Sequence, residues 1–371
     1  MSYLVDAGYT VFGFIFDITI VVFFHELGHF AVGRLCGVRI DAFSIGFGPE
    51  LLAWTDRRGT RWRIAALPLG GYVKFHGDMN VASVGPGAAS PLMSAAERAE
   101  TFGAQPVAKR AAIVAAGPVA NFVLAMAIMT ALIYSQGVPS SDARIGLVNP
   151  GSAAAAAGFQ PGDVVTAIDG QPVPDFSAMR EVVRGAAGRA LHFSVRRGDQ
   201  TIQIEAVPDL KVEQGNDGPV RGGQLGVQVG RQATTLPRAV ADAGDFCWTV
   251  VATTGRYVGD VIRLREKADQ VSGPIGIATV AGQAARMGVG SVFYLIALIS
   301  VSIGLMNLLP VPLLDGGHLL YYACEAVRGR PLSPRVQELG FRVGLAFVVL
   351  LMAFATKNDL VSAGARLFHA G

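Results

Sequence analysis

The stretch His25-Glu26-Leu27-Gly28-His29 lies inside an apolar segment, with Val21-Val22-Phe23-Phe24 before it and Phe30-Ala31-Val32 after it. On a helix, two histidines at i and i+4 share one face, where their imidazoles can hold one Zn²⁺. The glutamate between them can take a proton from metal-bound water. Because such groups are costly within a bilayer, they indicate a functional site. The alternative is a pair of core histidines that hydrogen-bond within the fold, beside an exposed glutamate.

The composition predicts a membrane protein. The 371 residues are 51% hydrophobic and 16% charged, whereas a soluble globular chain is about 25% charged. The net charge of +3 is too small to indicate a nucleic-acid partner. Cys36, Cys247 and Cys324 are scattered and odd in number, so they suggest neither a disulfide framework nor a thiolate metal site. The length allows a helical core in the lipid bilayer plus one soluble domain.

Apolar stretches predict about four transmembrane helices. They run from about Tyr9 to Leu35, Ala111 to Tyr134, Val292 to Leu309 and Val343 to Ala355, and the last is short for a full span. We assign residues 1–36, 111–136, 291–327 and 340–358 to these four helices. A cleaved signal peptide is disfavoured, since the start is not basic and the first apolar run continues through the histidine motif.

Basic residues near the ends of the spans predict the orientation. They cluster between the first two spans and again before the fourth, at Arg39, Arg57, Arg58, Arg61, Arg63, Lys74, Lys109, Arg110, Arg328, Arg330 and Arg335. Both regions should therefore be cytoplasmic. The N-terminus and the long segment from about Gln136 to Gly290 should lie on the other side of the membrane.

A zinc ion needs a third protein ligand, and a catalytic zinc keeps a fourth position for water. The best candidate is Asp315, which follows Asn307-Leu308-Leu309-Pro310-Val311-Pro312 and precedes Gly316-Gly317. Prolines break a helix there, and a carboxylate flanked by leucines would be costly unless a metal neutralised it. The residues alone leave two alternatives open. His318 could be the ligand instead, or Asp315 could simply cap the following helix.

Several motifs, spread in order over nearly the whole chain, resemble the site-2 proteases, and most closely the bacterial regulator-of-sigma-E protease group. Site-2 proteases are intramembrane zinc metalloproteases. The resemblance is carried by residues 24–30, 43–48, 67–74, 110–122, 271–275 and 307–317.

The resemblance implies that His25, His29 and Asp315 hold Zn²⁺, which favours Asp315 over His318. Glu26 would activate water, and Asn307 would position the substrate backbone. The chain would be an endopeptidase of the bacterial inner membrane that cuts single-span proteins. Its expected substrates are anti-sigma factors already trimmed by an upstream site-1-type protease, and remnant signal peptides. The ligand types alone would also suit Fe²⁺ or Co²⁺.

Residues 37–110 are predicted to form a membrane-associated β-hairpin region followed by a flexible loop at about 77–105. In the resembled family, such a hairpin presents its edge to an unwound substrate. Here the edge would include Gly70, Gly71 and Tyr72, and edge pairing would replace the hydrogen bonds that the substrate helix loses. The alternative is a plain surface hairpin.

Residues 157–163, the turn Asp169-Gly170 and the alternating strand Leu191 to Arg196 resemble a PDZ domain of the bacterial, circularly permuted type. Residues 143–230 are therefore expected to form one extracytoplasmic PDZ domain, located in the periplasm, whereas the resembled group carries two such domains in tandem. Leu225, Gly226 and Val227 would lie near its peptide-binding edge. Residues 231–290 are predicted to form an amphipathic extracytoplasmic segment. Within it, Leu236 to Arg265 shows amphipathic helical spacing and would rest on the membrane, clamp the substrate entrance or pack against the PDZ domain.

Two polar residues lie within the spans and have more than one interpretation. Asp17 would solvate a water path to the metal or hydrogen-bond to a neighbouring helix. Asn121 would pack its amide against the helix that carries the histidines or, as the weaker alternative, contact substrate. A second function class is a non-catalytic membrane PDZ scaffold with a structural metal, although a closed structural site has no use for a base such as Glu26.

Overall fold

The computed structural model describes residues 2–77, 93–215, 218–263 and 273–369. It divides into a largely helical unit, Met1–Thr130 with Val240–Gly371, and a β-rich unit, Ala131–Ala239. The helices are α1 Ser2–Leu35, α2 Ala95–Ala99, α3 Val107–Gln136, α4 Ala153–Ala157, α5 Phe176–Arg184, α6 Leu236–Ile262, α7 Pro274–Met287, α8 Val289–Leu308, α9 Asp315–Arg328 and α10 Pro334–His369. The strands are β1 Ile40–Thr55, β2 Arg61–Phe75, β3 Val138–Pro139, β4 Ile145–Val148, β5 Val164–Ile168, β6 Gln171–Pro172, β7 Leu191–Arg197, β8 Gln200–Ala206, β9 Asp209–Gly215, β10 Gly218–Gln224, β11 Val227–Val229 and β12 Arg231–Gln232.

Within the described residues, four helices are long and apolar enough to cross a membrane. Their candidate spans are Gly8–Leu35, Val107–Gln136, Val289–Leu308 and Pro334–Val361. The chain is therefore a multi-pass membrane protein, as the sequence predicted. The expectation that the fourth span would be short is wrong, because α10 continues through polar residues on both sides of its apolar centre.

The third predicted span differs from the structure in its bounds. We assigned residues 291–327 to one helix, but α8 ends at Leu308 and α9 begins at Asp315. The intervening segment contains Pro310 and Pro312, which cannot donate the backbone hydrogen bonds of a continuous helix.

Helices α1 and α3 cross closely in the helical unit. A Cβ atom on Gly28 would overlap the Ala116 carbonyl oxygen, so only glycine allows the two backbones this approach. Helix α8 joins the same core: the Ser300 hydroxyl donates a 2.9 Å hydrogen bond to the Asn121 backbone carbonyl. Gly304 also faces the backbone of Pro118 in α3. These contacts place three spans around the histidine motif.

The predicted hairpin is present as β1 and β2, which pair in an antiparallel manner and are both bent. Residues 42–45 of β1 pair with 61–64 of β2 on one side and with 71–74 on the other. Among the described strands, 71–75 therefore forms an edge of this sheet. Arg34, at the end of α1, ties the hairpin turn to the helix through hydrogen bonds to Asp56, 2.5 Å, and Thr60, 2.8 Å.

Part of the predicted flexible loop is ordered structure. Residues 78–92 lie outside the described part of the chain, but α2 forms within the predicted range of 77–105. Ser94 caps its N-terminus, since its hydroxyl accepts from the Glu97 backbone N–H while the Glu97 side chain bonds back to the Ser94 backbone. This capping box, Ser94 with Glu97, is a helix-start signal that our loop interpretation overlooked.

The described part of residues 231–290 contains the helices α6 and α7, and α7 packs against α1. A Cβ atom on Gly13 would lie 3.0 Å from the Ala281 carbonyl oxygen, and one on Gly282 would lie 2.5 Å from the Thr10 hydroxyl oxygen. The N-terminus of α7 is capped by a carboxylate from α10, because Asp359 accepts from the backbone N–H groups of Gly273, Ile275 and Gly276, each at 3.0 Å. Helix α7 thus packs within the helical unit, and the amphipathic spacing predicted for Leu236 to Arg265 falls on α6.

The β-rich unit contains a four-stranded sheet in the order β6-β5-β7-β8 and three further strand pairs. Its buried core includes Met179 of α5 together with Leu191, Phe193 and Val195 of β7. The predicted Asp169-Gly170 turn is present with positive φ at both residues, 49° and 78°. This combination is typical of a two-residue hairpin turn. The predicted PDZ-like domain is present as this unit, and its strands extend slightly beyond residues 143–230.

Candidate metal centre

Three side chains from distant parts of the chain converge on one point. His25 Nε2 lies 3.2 Å from His29 Nε2 and 3.2 Å from Asp315 Oδ2, and His29 Nε2 lies 3.5 Å from the same oxygen. Ligand atoms bound to a tetrahedral zinc at about 2.0–2.1 Å lie about 3.3 Å from one another. The three atoms therefore fit one face of a zinc tetrahedron, and a fourth position remains for water. Among the described residues, this is the group whose ligand atoms lie close enough to share a metal.

Both imidazoles are oriented by groups on α3. The Nδ1–H of His29 donates to the Ile113 backbone carbonyl at 2.9 Å, which leaves Nε2 free to bind a metal. The Asn121 amide nitrogen Nδ2 lies 3.3 Å from His25 Nδ1, and the amide oxygen Oδ1 has no hydrogen-bond partner among the described atoms. If the amide is turned so that this oxygen faces His25, it accepts the Nδ1–H and again leaves Nε2 for the metal.

Gly117 allows α3 to approach both histidines. A Cβ atom at this position would overlap His29 Nε2 and lie 2.9 Å from His25 Cε1. Gly117 and Asn121 belong to the 110–122 motif, and no metal-site role was predicted for Gly117. The available signal was a glycine and an amide one helical turn apart in an apolar span.

Glu26 lies between the metal ligands and the edge of the β-sheet. The Val73 backbone N–H donates to its carboxylate. A Cβ atom on Gly71 would lie 3.1 Å from Glu26 Cγ, so the edge strand passes directly over this side chain. This arrangement places the candidate base next to the backbone that was predicted to hold an extended substrate.

The metal ligands open into a cavity of about 710 Å³. Its wall includes the metal ligands, Glu26 and the predicted substrate-positioning residues Asn307, Gly71 and Tyr72. Gly70 precedes this wall with φ of 150° and packs against the Phe47 ring, where a side chain would not fit. The structure thus brings the predicted catalytic, metal and positioning residues to one place.

The structure distinguishes between the alternatives for Asp315. Leu314 is the N-cap of α9, and no side chain caps this helix, so the Asp315 carboxylate faces the histidines instead of capping. His318 lines the same cavity, but its ring is not part of the three-residue group. The geometry therefore agrees with Asp315 as the third ligand.

Asp17 is buried in α1, with 1% of its surface exposed. Neither carboxylate oxygen has a hydrogen-bond partner within the described residues, so the predicted bond to a neighbouring helix is not seen there. Asp17 lies outside the lining of the metal-site cavity.

In the β-rich unit, a separate groove of about 570 Å³ runs between α5 and residues 222–227. The predicted peptide-binding residues Leu225, Gly226 and Val227 line it. Gly226 has φ of 76° and packs against Ser152, which explains why glycine is needed at this bend.

The site combines a histidine pair, a third carboxylate ligand and a glutamate next to the first histidine, and it lies among membrane-spanning helices. This combination is typical of metallopeptidases with an HExxH motif. The family model described as "Peptidase family M50" matches residues 13–351. This chain belongs to peptidase family M50, the site-2 proteases.

Similar proteins have comparable lengths. The chain is 44% identical over 364 residues to "Putative zinc metalloprotease Atu1380" of Agrobacterium fabrum, with 96% of each chain covered. It is 41% identical over 374 residues to "Metalloprotease MmpA" of Caulobacter vibrioides, with 93% of this chain and 94% of that protein covered. One quarter of the chain is similar to the solved PDZ domain of an SdrC-like protein from Listeria monocytogenes, at 20% identity, 87% coverage of that domain and a TM-score of 0.19.

Proposed function

We propose that this protein is a zinc-dependent endopeptidase that hydrolyses peptide bonds of single-span membrane proteins within the bilayer. The observation that carries the proposal is the tetrahedral spacing of His25, His29 and Asp315 beside Glu26. Membership of family M50 and the metalloprotease names of its relatives support it. Zn²⁺, when bound, lowers the pKa of a water molecule and polarises the scissile carbonyl.

The protein's own residues supply the remaining steps. Glu26 is placed to take the proton from water and to deliver it to the leaving amine. Asn307 lines the cavity with an amide that can bond to the substrate backbone. The edge strand at Gly71 and Tyr72 offers backbone groups to an unwound segment, and these replace the hydrogen bonds that the substrate helix loses.

We assign the protein to the bacterial inner membrane, with the PDZ-like unit in the periplasm. The basic segments around Arg57 to Arg63 and Arg328 to Arg335 support this orientation. The substrates proposed are anti-sigma factors that an upstream site-1-type protease has trimmed, and remnant signal peptides. The PDZ-like unit would act as a size filter that excludes bulky periplasmic domains.

Replacing Glu26 by Gln tests the chemistry, because it removes the base and leaves the metal ligands. Purified Glu26→Gln protein should retain zinc at the wild-type level and should fail to cleave a reconstituted single-span substrate. Asp315→Ala should lose both zinc and cleavage. Wild-type cleavage by Glu26→Gln would disprove the mechanism.

Deletion of residues 143–229 tests the filter. If the PDZ-like unit excludes large substrates, its deletion should allow cleavage of an untrimmed substrate while trimmed substrate is still cut. If the unit instead captures the new C-terminus, deletion should abolish cleavage of the trimmed substrate alone.

Substrate identity can be approached by trapping with Glu26→Gln protein in native membranes, followed by mass spectrometry. The trapped spans should carry helix-weakening residues near the scissile bond, since exposing the backbone costs least there. Replacing those residues by leucine should slow cleavage without changing membrane insertion. Equally fast cleavage of a leucine-rich span would contradict the unwinding step.

A further inference from the structure

The fourth span packs against the segment that carries Asp315 through two glycines. A Cβ atom on Gly344 would overlap the Pro312 carbonyl oxygen, and one on Gly340 would overlap the Tyr321 hydroxyl oxygen. The two glycines are four residues apart and so share one face of α10. At Gly344 the partner is backbone, so a side chain would not fit there, whereas at Gly340 the buried Tyr321 hydroxyl would have to move.

The contact lies beside a strained part of the backbone. Pro312 is three residues before Asp315, and Leu313 between them has φ of 97°, a conformation that L side chains rarely adopt. Such a residue persists only where its surroundings hold it. Helix α10 provides that support on the Pro312 side.

The other side of the segment is equally close-packed. A Cβ atom on Gly316 would overlap the Leu309 carbonyl oxygen, and one on Gly317 would overlap that of Val311. The chain from Leu309 to Gly317 is therefore folded tightly on itself, and α10 closes its remaining side. A displacement of Pro312 would be transmitted over three residues to the Asp315 carboxylate, which lies 3.2 Å from His25 Nε2.

We propose that Gly340 and Gly344 are positioning residues that hold the third metal ligand in place, so that α10 is a structural part of the metal site. The inference rests on the proposed function, because it assumes that Asp315 binds zinc. Gly340 acts through Tyr321 on α9, and Gly344 acts through the Pro312 carbonyl.

Zinc retention during challenge with a chelator tests this without using activity. Gly344→Ala and Gly340→Ala should release zinc about tenfold faster than wild type, the scale expected when the support of a metal ligand is lost. Alanine favours helix over glycine, so these changes would stabilise a helix that made no such contact. Gly255→Ala in α6 is the matched control, since its added Cβ has open space, and it should release zinc at the wild-type rate.

A double variant separates positioning from misfolding. The Tyr321 hydroxyl is buried and has no hydrogen-bond partner within the described residues. Tyr321→Phe alone should therefore retain zinc normally, and it removes the oxygen atom that the methyl group added by Gly340→Ala would overlap. Gly340→Ala with Tyr321→Phe should regain most of the zinc retention that Gly340→Ala loses.

Two results would overturn the inference: wild-type zinc retention by both single glycine variants, or a double variant as poor as Gly340→Ala. Asp315→Ala, measured alongside, identifies a different failure. If that variant retains zinc as wild type does, the metal site itself is wrongly assigned and the proposed function fails with it.

Discussion

The Nδ1 atom of His25 lies 3.3 Å from the side-chain amide of Asn121, on a different membrane span. A metal-binding histidine donates its second ring N–H to such a partner, which sets both the tautomer and the ring orientation. With its amide turned so that Oδ1 faces His25, Asn121 accepts the His25 Nδ1–H, as the Ile113 carbonyl accepts the Nδ1–H of His29. The zinc affinity of the site should depend on both supports.

Replacing Asn121 by Ala should weaken zinc binding about 10- to 100-fold, because the His25 ring loses its partner. The measurement is a competitive zinc titration of the detergent-solubilised protein. Ser300→Ala is the control, since the Ser300 hydroxyl donates to the Asn121 backbone carbonyl and not to its side-chain amide. Equal zinc affinity in Asn121→Ala and wild type would show that the amide does not orient His25.

Replacing Gly117 by Ala should abolish zinc binding, since the added methyl group would overlap His29 Nε2 and displace the ring. Metal analysis after purification in the presence of zinc provides the measurement. Gly8→Ala is a matched glycine change in an apolar span, at a position with open space, and should bind zinc normally. A zinc-loaded Gly117→Ala protein would contradict the close approach of α3 to the histidines.

Replacing Asp359 by Ala should destabilise the docking of α7, because three backbone N–H groups lose their acceptor. A lost N-cap costs about 0.5–2 kcal/mol. Hydrogen exchange at residues 275–280 should become faster, whereas exchange in α3 should not change. Asp359→Asn keeps one acceptor oxygen and should show an intermediate effect. Unchanged exchange in the Ala variant would mean that the cap does not hold α7.

The stability of the PDZ-like unit should fall in acid through Asp163. Its buried carboxylate receives two 2.7 Å hydrogen bonds from Arg197 and one of 2.8 Å from the Gln160 backbone N–H. Burial alone would raise the pKa of Asp163, but these bonds outweigh it and hold the pKa below the usual value. A depressed folded-state pKa stabilises the fold above the unfolded-state value of about 3.9. That contribution is lost as the pH falls through the folded-state pKa.

Hydrogen exchange in β5 and β7 at pH 6 and pH 3 measures this effect. At pH 6, Asp163→Asn should exchange faster than wild type, and the difference should shrink at pH 3. A difference that is the same at both pH values would mean that the charge of Asp163 does not contribute.

Much of the fold was predictable because it depends on local pattern. The spacing of His25 and His29 requires only the helical repeat, and the alternation in Leu191 to Arg196 requires only the pleat of a strand. Capping signals and the length of an apolar helix also depend only on neighbouring residues, although we overlooked the cap at Ser94 and predicted α10 too short. The site residues His25, Glu26 and His29 are adjacent in the chain, so the sequence by itself indicated the metal chemistry.

The tertiary structure decided which groups meet across long separations. Asp315 is 290 residues from His25, and the residues alone left His318 and helix capping as alternatives. The resemblance favoured Asp315. The packing of α9 brings the Asp315 carboxylate to the histidines, where it makes no capping bond. The roles of Gly117, Gly340 and Gly344 also depend on which backbone lies opposite each glycine. A glycine in a helix has the same local pattern wherever it occurs, so only the packed structure shows which one touches a metal ligand or its support.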